Sequence, residues 1–134
     1  MPEPKFKRGA RIIGLNLLII ASLFGLVSLN KEILRPASIH SGFARTLTGC
    51  FPNFIAAYLI SLAFVNPVLI KQPKHSRVIV FLSSAVIFII LTFEELRPLW
   101  GASTHYDPWD IAASGFGSLL AIFTFELITM IRNK

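Results

Sequence analysis

Four long apolar runs separated by short polar stretches set the pattern of this chain. They fall at about residues 10–29, 47–70, 76–93 and 109–131. Each is close to the roughly 20 residues a helix needs to cross about 30 Å of hydrocarbon. The third run is rich in β-branched residues, Val78-Ile79-Val80 and Val86-Ile87 among them. In lipid a helix is still its only open-chain solution, because every backbone N–H and C=O must be satisfied internally. The pattern predicts an all-α membrane protein, a four-helix transmembrane bundle forming one domain over residues 1–134.

Composition agrees. Hydrophobic residues make up 54% of the 134 and charged residues 15%, and the apolar residues are continuous rather than periodic. A soluble domain of this size could not bury that much apolar surface. The first run follows a basic tail, as in a signal peptide, but it is long for one and Asn30-Lys31-Glu32 follows it in place of a small-residue cleavage site. A retained first helix is expected. With one cysteine, Cys50, no disulfide framework forms within the chain. Cys50 reads most simply as a small buried apolar residue.

The net charge of +6 changes meaning once the helices are drawn. Nine cations fall on one side: Lys5, Lys7, Arg8 and Arg11 in the tail, Lys71, Lys74 and Arg77 in the middle loop, Arg132 and Lys134 at the end. Four, Lys31, Arg35, Arg45 and Arg97, fall on the other. The positive-inside rule then puts both termini in the cytoplasm. The charge is a topology signal, and no nucleic-acid partner is called for. Five of the seven acids, Glu32, Glu94, Glu95, Asp107 and Asp110, share the side with four cations. Trp100, Tyr106 and Trp109 gather at the same boundary, as interfacial aromatics do.

That acidic side holds the candidate chemistry. Asp107-Pro108-Trp109-Asp110 has the order of a helix start, with Asp as N-cap, Pro at the first position and an acid in the first turn. Capping could account for Asp107 in full. Asp110 lies at the lipid boundary, where a carboxylate needs a partner. Glu94 and Glu95 end the third helix, where negative charge opposes the helix dipole. Glu94 reads as solvated, whereas Glu95 requires compensation, for which Arg45 and Arg97 are candidates. Asn53, beside Pro52 at the start of the second helix, also needs a partner at that depth. His40 and His105 share this side, but their spacing matches no metal motif, so neither a metal nor a cofactor is expected. The fourth helix opens with small residues, Ala112, Ala113, Ser114, Gly115 and Gly117, which suit close helix packing or a groove. Glu126, near the other end, is expected to snorkel or to pair with Arg77 or Arg11.

Glu95, Asp107, Asp110, Ser114 and Gly117 together resemble the VanZ-like family of small membrane proteins. That family carries a Glu at a helix end, an Asp twelve residues on, a second Asp three later, then a polar residue and a glycine. The second-helix opening GCFPNFIAAYLISLAF is similar to the family's Pro-containing helix start. Pro98 and Thr104 stand where the pattern commonly has Gln and Arg, and Ser114 where it has Asn. The resemblance covers the last three helices. It implies a bacterial plasma-membrane protein of four to five helices, in a family linked to glycopeptide (teicoplanin) resistance without a well-defined activity.

The functional expectation is an extracytoplasmic site of Glu95, Asp107, Asp110, Asn53 and Ser114 with Arg45 or Arg97. It would bind a polar ligand such as a lipid or cell-wall precursor head group. Two alternatives stand beside it: a membrane enzyme using a paired carboxylate as general base, and a structural subunit packing through its small-residue face. Partners expected besides the bilayer are another copy or other membrane proteins.

Overall fold

A computed structural model describes residues 5–37, 40–97 and 107–133, excepting the side chains of residues 5–9, 11 and 12. Those residues form α1 (Lys5–Leu29), a π-helical turn (Asn30–Leu34), α2 (Arg35–Ala37), α3 (Gly42–Lys71), α4 (Ser76–Leu96) and α5 (Pro108–Arg132). There is no strand among them. Four stretches are long and apolar enough to cross a membrane: Ile13–Ala37, Gly42–Lys71, Ser76–Leu96 and Pro108–Arg132. The chain is an all-helical, multi-pass membrane protein.

The helix ends follow from local chemistry. Ser41 caps α3, its hydroxyl accepting from the Ala44 N–H at 3.5 Å. At the other end Gln72 takes a left-handed conformation, φ 50°, and its N–H donates to Val68 O at 2.8 Å. That is an αL stop made by a residue other than glycine. Arg132 reaches across from α5 and donates to Leu69 O at 3.0 Å, satisfying another terminal carbonyl.

Two boundaries differ from the sequence pattern. The second spanning helix starts at Gly42, not near residue 47, so Pro52 lies well inside α3. A proline there has no N–H for the carbonyl four residues back, Thr48 O. The side-chain amide of Asn30 donates to that carbonyl at 2.7 Å, and Asn30 is buried. The first helix also does not stop at Leu29. It passes through the π-helical turn into α2, and this turn carries Asn30 to the carbonyl that Pro52 orphans. In membranes proline is tolerated where neighbouring helices satisfy the freed backbone in this way.

The core lies between α3, α4 and α5. Leu62, Val65, Val68, Leu69, Val80, Ala121 and Phe125 form a buried apolar cluster there. α3 and α5 run parallel in close contact, and α4 runs back against both. The small face of α5, Ala113, Ser114, Gly117, Ser118 and Ala121, is buried. At Gly117 an added Cβ would collide with Phe54 O and come within 2.9 Å of the Ala57 Cβ. Tyr58 and Thr124 join the two helices through their hydroxyls at 3.2 Å. Thr124 already donates to Leu120 O, so Tyr58 is the donor to Thr124.

The bundle has two unlike ends. At the Arg77 end, Arg77 and Glu126 form a two-point ion pair, both contacts 3.0 Å. This is one of the two pairings expected for Glu126. The Asp107 end gathers the end of α1, α2, the start of α3, the end of α4 and the start of α5.

Candidate functional site

α5 begins where its sequence says it should. Asp107 is extended, and its Oδ1 accepts from the Trp109 N–H at 3.0 Å. Pro108 takes the first helical position, where a missing N–H costs nothing. The Asp107 N–H in turn donates to Glu95 Oε1 at 3.3 Å. One residue therefore caps α5 with its side chain and engages the last turn of α4 with its backbone. Glu95 sits where the α4 dipole is unfavourable, and this N–H supplies part of the compensation.

Asp110 lies in the first turn of α5, half-buried. Asn53 from α3 is its hydrogen-bonding neighbour, and Glu95, Asp107 and Arg35 are the charges that bear on it. Its Oδ1 is buried without a hydrogen-bond partner among the described residues. Ser114, one turn further along α5, is buried beneath it. Glu95, Asp107, Asp110, Asn53 and Ser114 thus occupy one end of the α3–α4–α5 core.

The two arginines singled out from sequence take different places. Arg45, in the first turns of α3, lines a cavity beside the cluster. Arg97 follows α4 as its C-cap, its N–H donating to Phe93 O at 2.9 Å. The Arg97 side chain is exposed and makes no hydrogen bond or ion pair with the cluster among the described residues. The arginine that bears on Asp110 is Arg35, which sequence reasoning passed over as a loop residue. The signal lay in the spacing of Lys31 and Arg35, four apart and on one face if the first helix continues.

The cavity is an open hollow of about 800 Å³ lined by Lys31, Arg35, Pro36, Arg45, Thr46, Gly49 and Asp107. Arg35 is fixed to its wall, Nη2 donating to Gly49 O at 3.2 Å. Cations from the α1–α2 arm and from α3 therefore line one hollow together with Asp107. This volume is within the range of small-molecule sites.

Among the described residues no three His, Cys, Asp or Glu side chains are grouped to hold a metal ion. His40 is exposed. His105, Trp100 and Tyr106 lie outside the described residues, as do Pro98 and Thr104. Cys50 is buried in α3, in keeping with its reading as an apolar residue. No family model, curated protein or solved structure matches the chain.

Proposed function

We propose that this is a VanZ-like protein of a bacterial plasma membrane, both termini cytoplasmic, whose Asp107 end binds the polar head group of a lipid or cell-wall precursor. The observation that carries the reading is the pairing of a half-buried acid cluster, Asp110 with Asn53, Glu95 and Asp107, with a cation-lined cavity of about 800 Å³. Hydroxyl or ammonium groups of a head group suit the carboxylates, and its acidic groups suit the cations. The charge asymmetry supports the orientation, since Lys71, Lys74, Arg77 and Arg132 all belong to the opposite end.

The alternative of a subunit that packs on other proteins through the small face of α5 has less support. Gly117 already packs that face on Phe54, Ala57 and Tyr58 of the same chain.

Orientation is tested with reporter fusions at residues 40, 73 and 103; the first and third should report outside and the second inside. The site is tested by expressing Glu95→Gln and Asp110→Asn in a host whose teicoplanin tolerance depends on the protein. Both variants should insert normally and lose tolerance. Full tolerance in both would overturn the head-group reading.

A further inference from the structure

The cavity at the Asp107 end is more specific than a generic polar hollow. Among the described residues, Lys31, Arg35 and Arg45 line it beside a single acid, Asp107, so that lining carries two positive charges in excess. The cations come from separate segments, Lys31 from the π-helical turn, Arg35 from α2 and Arg45 from α3. Bonds from Asn30 to Thr48 O at 2.7 Å and from Arg35 to Gly49 O at 3.2 Å tie those segments to each other. The cation-bearing walls are thereby joined without a ligand.

The segments that supply these cations also carry exposed apolar side chains: Ile33 and Leu34 in the π-helical turn, Phe43 and Leu47 at the start of α3. They belong to spans long and apolar enough to lie in a bilayer, so a charged head in the cavity would have lipid beside it for an apolar tail.

We infer that this cavity binds a terminal phosphate group, a phosphomonoester, carried by an amphiphile. A phosphomonoester carries about −1.5 to −2 charge at neutral pH, which matches an excess of two cations. A diester or a carboxylate carries half of that. Arginine presents paired donors in a planar fork suited to phosphate oxygens, and lysine adds a compact charge. Asp107 in the lining disfavours a ligand more negative than the cations can match. The inference rests on the head-group reading and names the chemistry of the group bound.

The test uses the full chain purified in a neutral detergent. Binding is measured by native mass spectrometry for dioctanoyl phosphatidic acid, dioctanoyl phosphatidylglycerol and inorganic phosphate. The phosphomonoester lipid should bind more tightly than the diester. Lys31→Gln and Arg45→Gln should each weaken it about tenfold, the loss expected for one hydrogen bond to a charged group. Arg97→Gln, a cation at the same end outside the cavity, should leave it unchanged. Both cavity residues are exposed, so these variants are expected to fold, which their thermal unfolding checks.

Inorganic phosphate separates the sources. If it binds with the same variant dependence, the phosphate group alone suffices; if only the lipid binds, the tail contributes, and either result supports a phosphate site. Equal binding of diester and monoester, binding insensitive to Lys31 and Arg45, or no binding of either phosphate would overturn the inference. The outcomes also stay distinct from those of the broader reading. Lost tolerance in Asp110→Asn without phosphomonoester binding retains a head-group site and discards phosphate. Cation-dependent phosphate binding with full tolerance in the carboxylate variants does the reverse.

Discussion

Substituting Gly117 by alanine should be the most damaging single-methyl addition to the fold. The new Cβ would overlap Phe54 O and lie 2.9 Å from the Ala57 Cβ and 3.0 Å from Tyr58 N. Two of these three atoms belong to the α3 backbone, which cannot rotate away, so relief requires α3 and α5 to separate. Overpacking of this kind costs about 1–3 kcal/mol, and contact with backbone puts Gly117→Ala at the upper part, about 2–3 kcal/mol. Two other glycines calibrate the number. At Gly115 the nearest atom is the edge of the Phe88 ring, 3.2 Å away, a side chain that can shift. Gly115→Ala should cost less than about 1 kcal/mol, by the same range. At Gly25 nothing lies within 4 Å. Gly25→Ala removes only glycine's backbone freedom and should be neutral or stabilising by about 0.5–1 kcal/mol. Reversible unfolding in mixed micelles, followed by circular dichroism as the denaturing detergent fraction rises, orders the three. If Gly117→Ala unfolds with Gly25→Ala rather than well before it, the α3–α5 contact is not as tight as described and the reasoning fails.

The same unfolding assay checks four further expectations. Asp107→Ala removes the α5 cap and should cost about 1 kcal/mol, with Asp107→Ser recovering most of it; equal losses for both would assign the effect to charge. Asn30→Ala removes a donor from Thr48 O, a carbonyl that Pro52 cannot serve, and should cost about 0.6–1 kcal/mol, near transmembrane hydrogen-bond averages. The double variant Asn30→Ala with Pro52→Ala, which restores a donor to Thr48 O, should be more stable than Asn30→Ala alone. Ser118→Ala deletes a buried hydroxyl that has no partner among the described residues and should be neutral or slightly stabilising, a clear loss revealing a bond. For Arg77 and Glu126 a double-mutant cycle should give a coupling of about 0.2–1 kcal/mol that shrinks with salt, since Arg77 is 70% exposed.

The four helices were legible because membranes leave no alternative to long apolar helices. The cap at Asp107 was legible because Asp-Pro at a helix start acts within three residues. The contact of Asp107 with Glu95 was not, because it spans a segment whose path local pattern does not set. Arg35 was missed for a related reason. Asn30-Lys31-Glu32 reads as the polar end of a helix, and only a long-range bond, Asn30 to Thr48 O, shows why the helix continues. That bond depends on Pro52 lying inside α3, whereas the sequence pattern placed Pro52 in a first turn. One misplaced helix start therefore hid the orphaned carbonyl, its donor and the arginine delivered beside it.

The four spans do not contribute equally to the fold. In α3 and α5, 39% and 33% of the most apolar window is buried within the chain; in the first span it is 6%. Lipid tails are as apolar as leucine, so apolar contact alone gives the first span little preference for α3 over lipid. Its bonds to α3 are polar: Asn30 and Arg35 bond to successive carbonyls at the Asp107 end, and further along Ile19 packs against the core. The α3–α4–α5 core can therefore persist while the first span loosens, since loosening breaks few buried contacts. Lys31 and Arg35 would leave the site with it, and Asp110 would lose the cation that bears on it. The proline in α3 thus does more than interrupt a helix: the carbonyl it frees is the anchor that brings the cationic wall of the cavity to the acidic one.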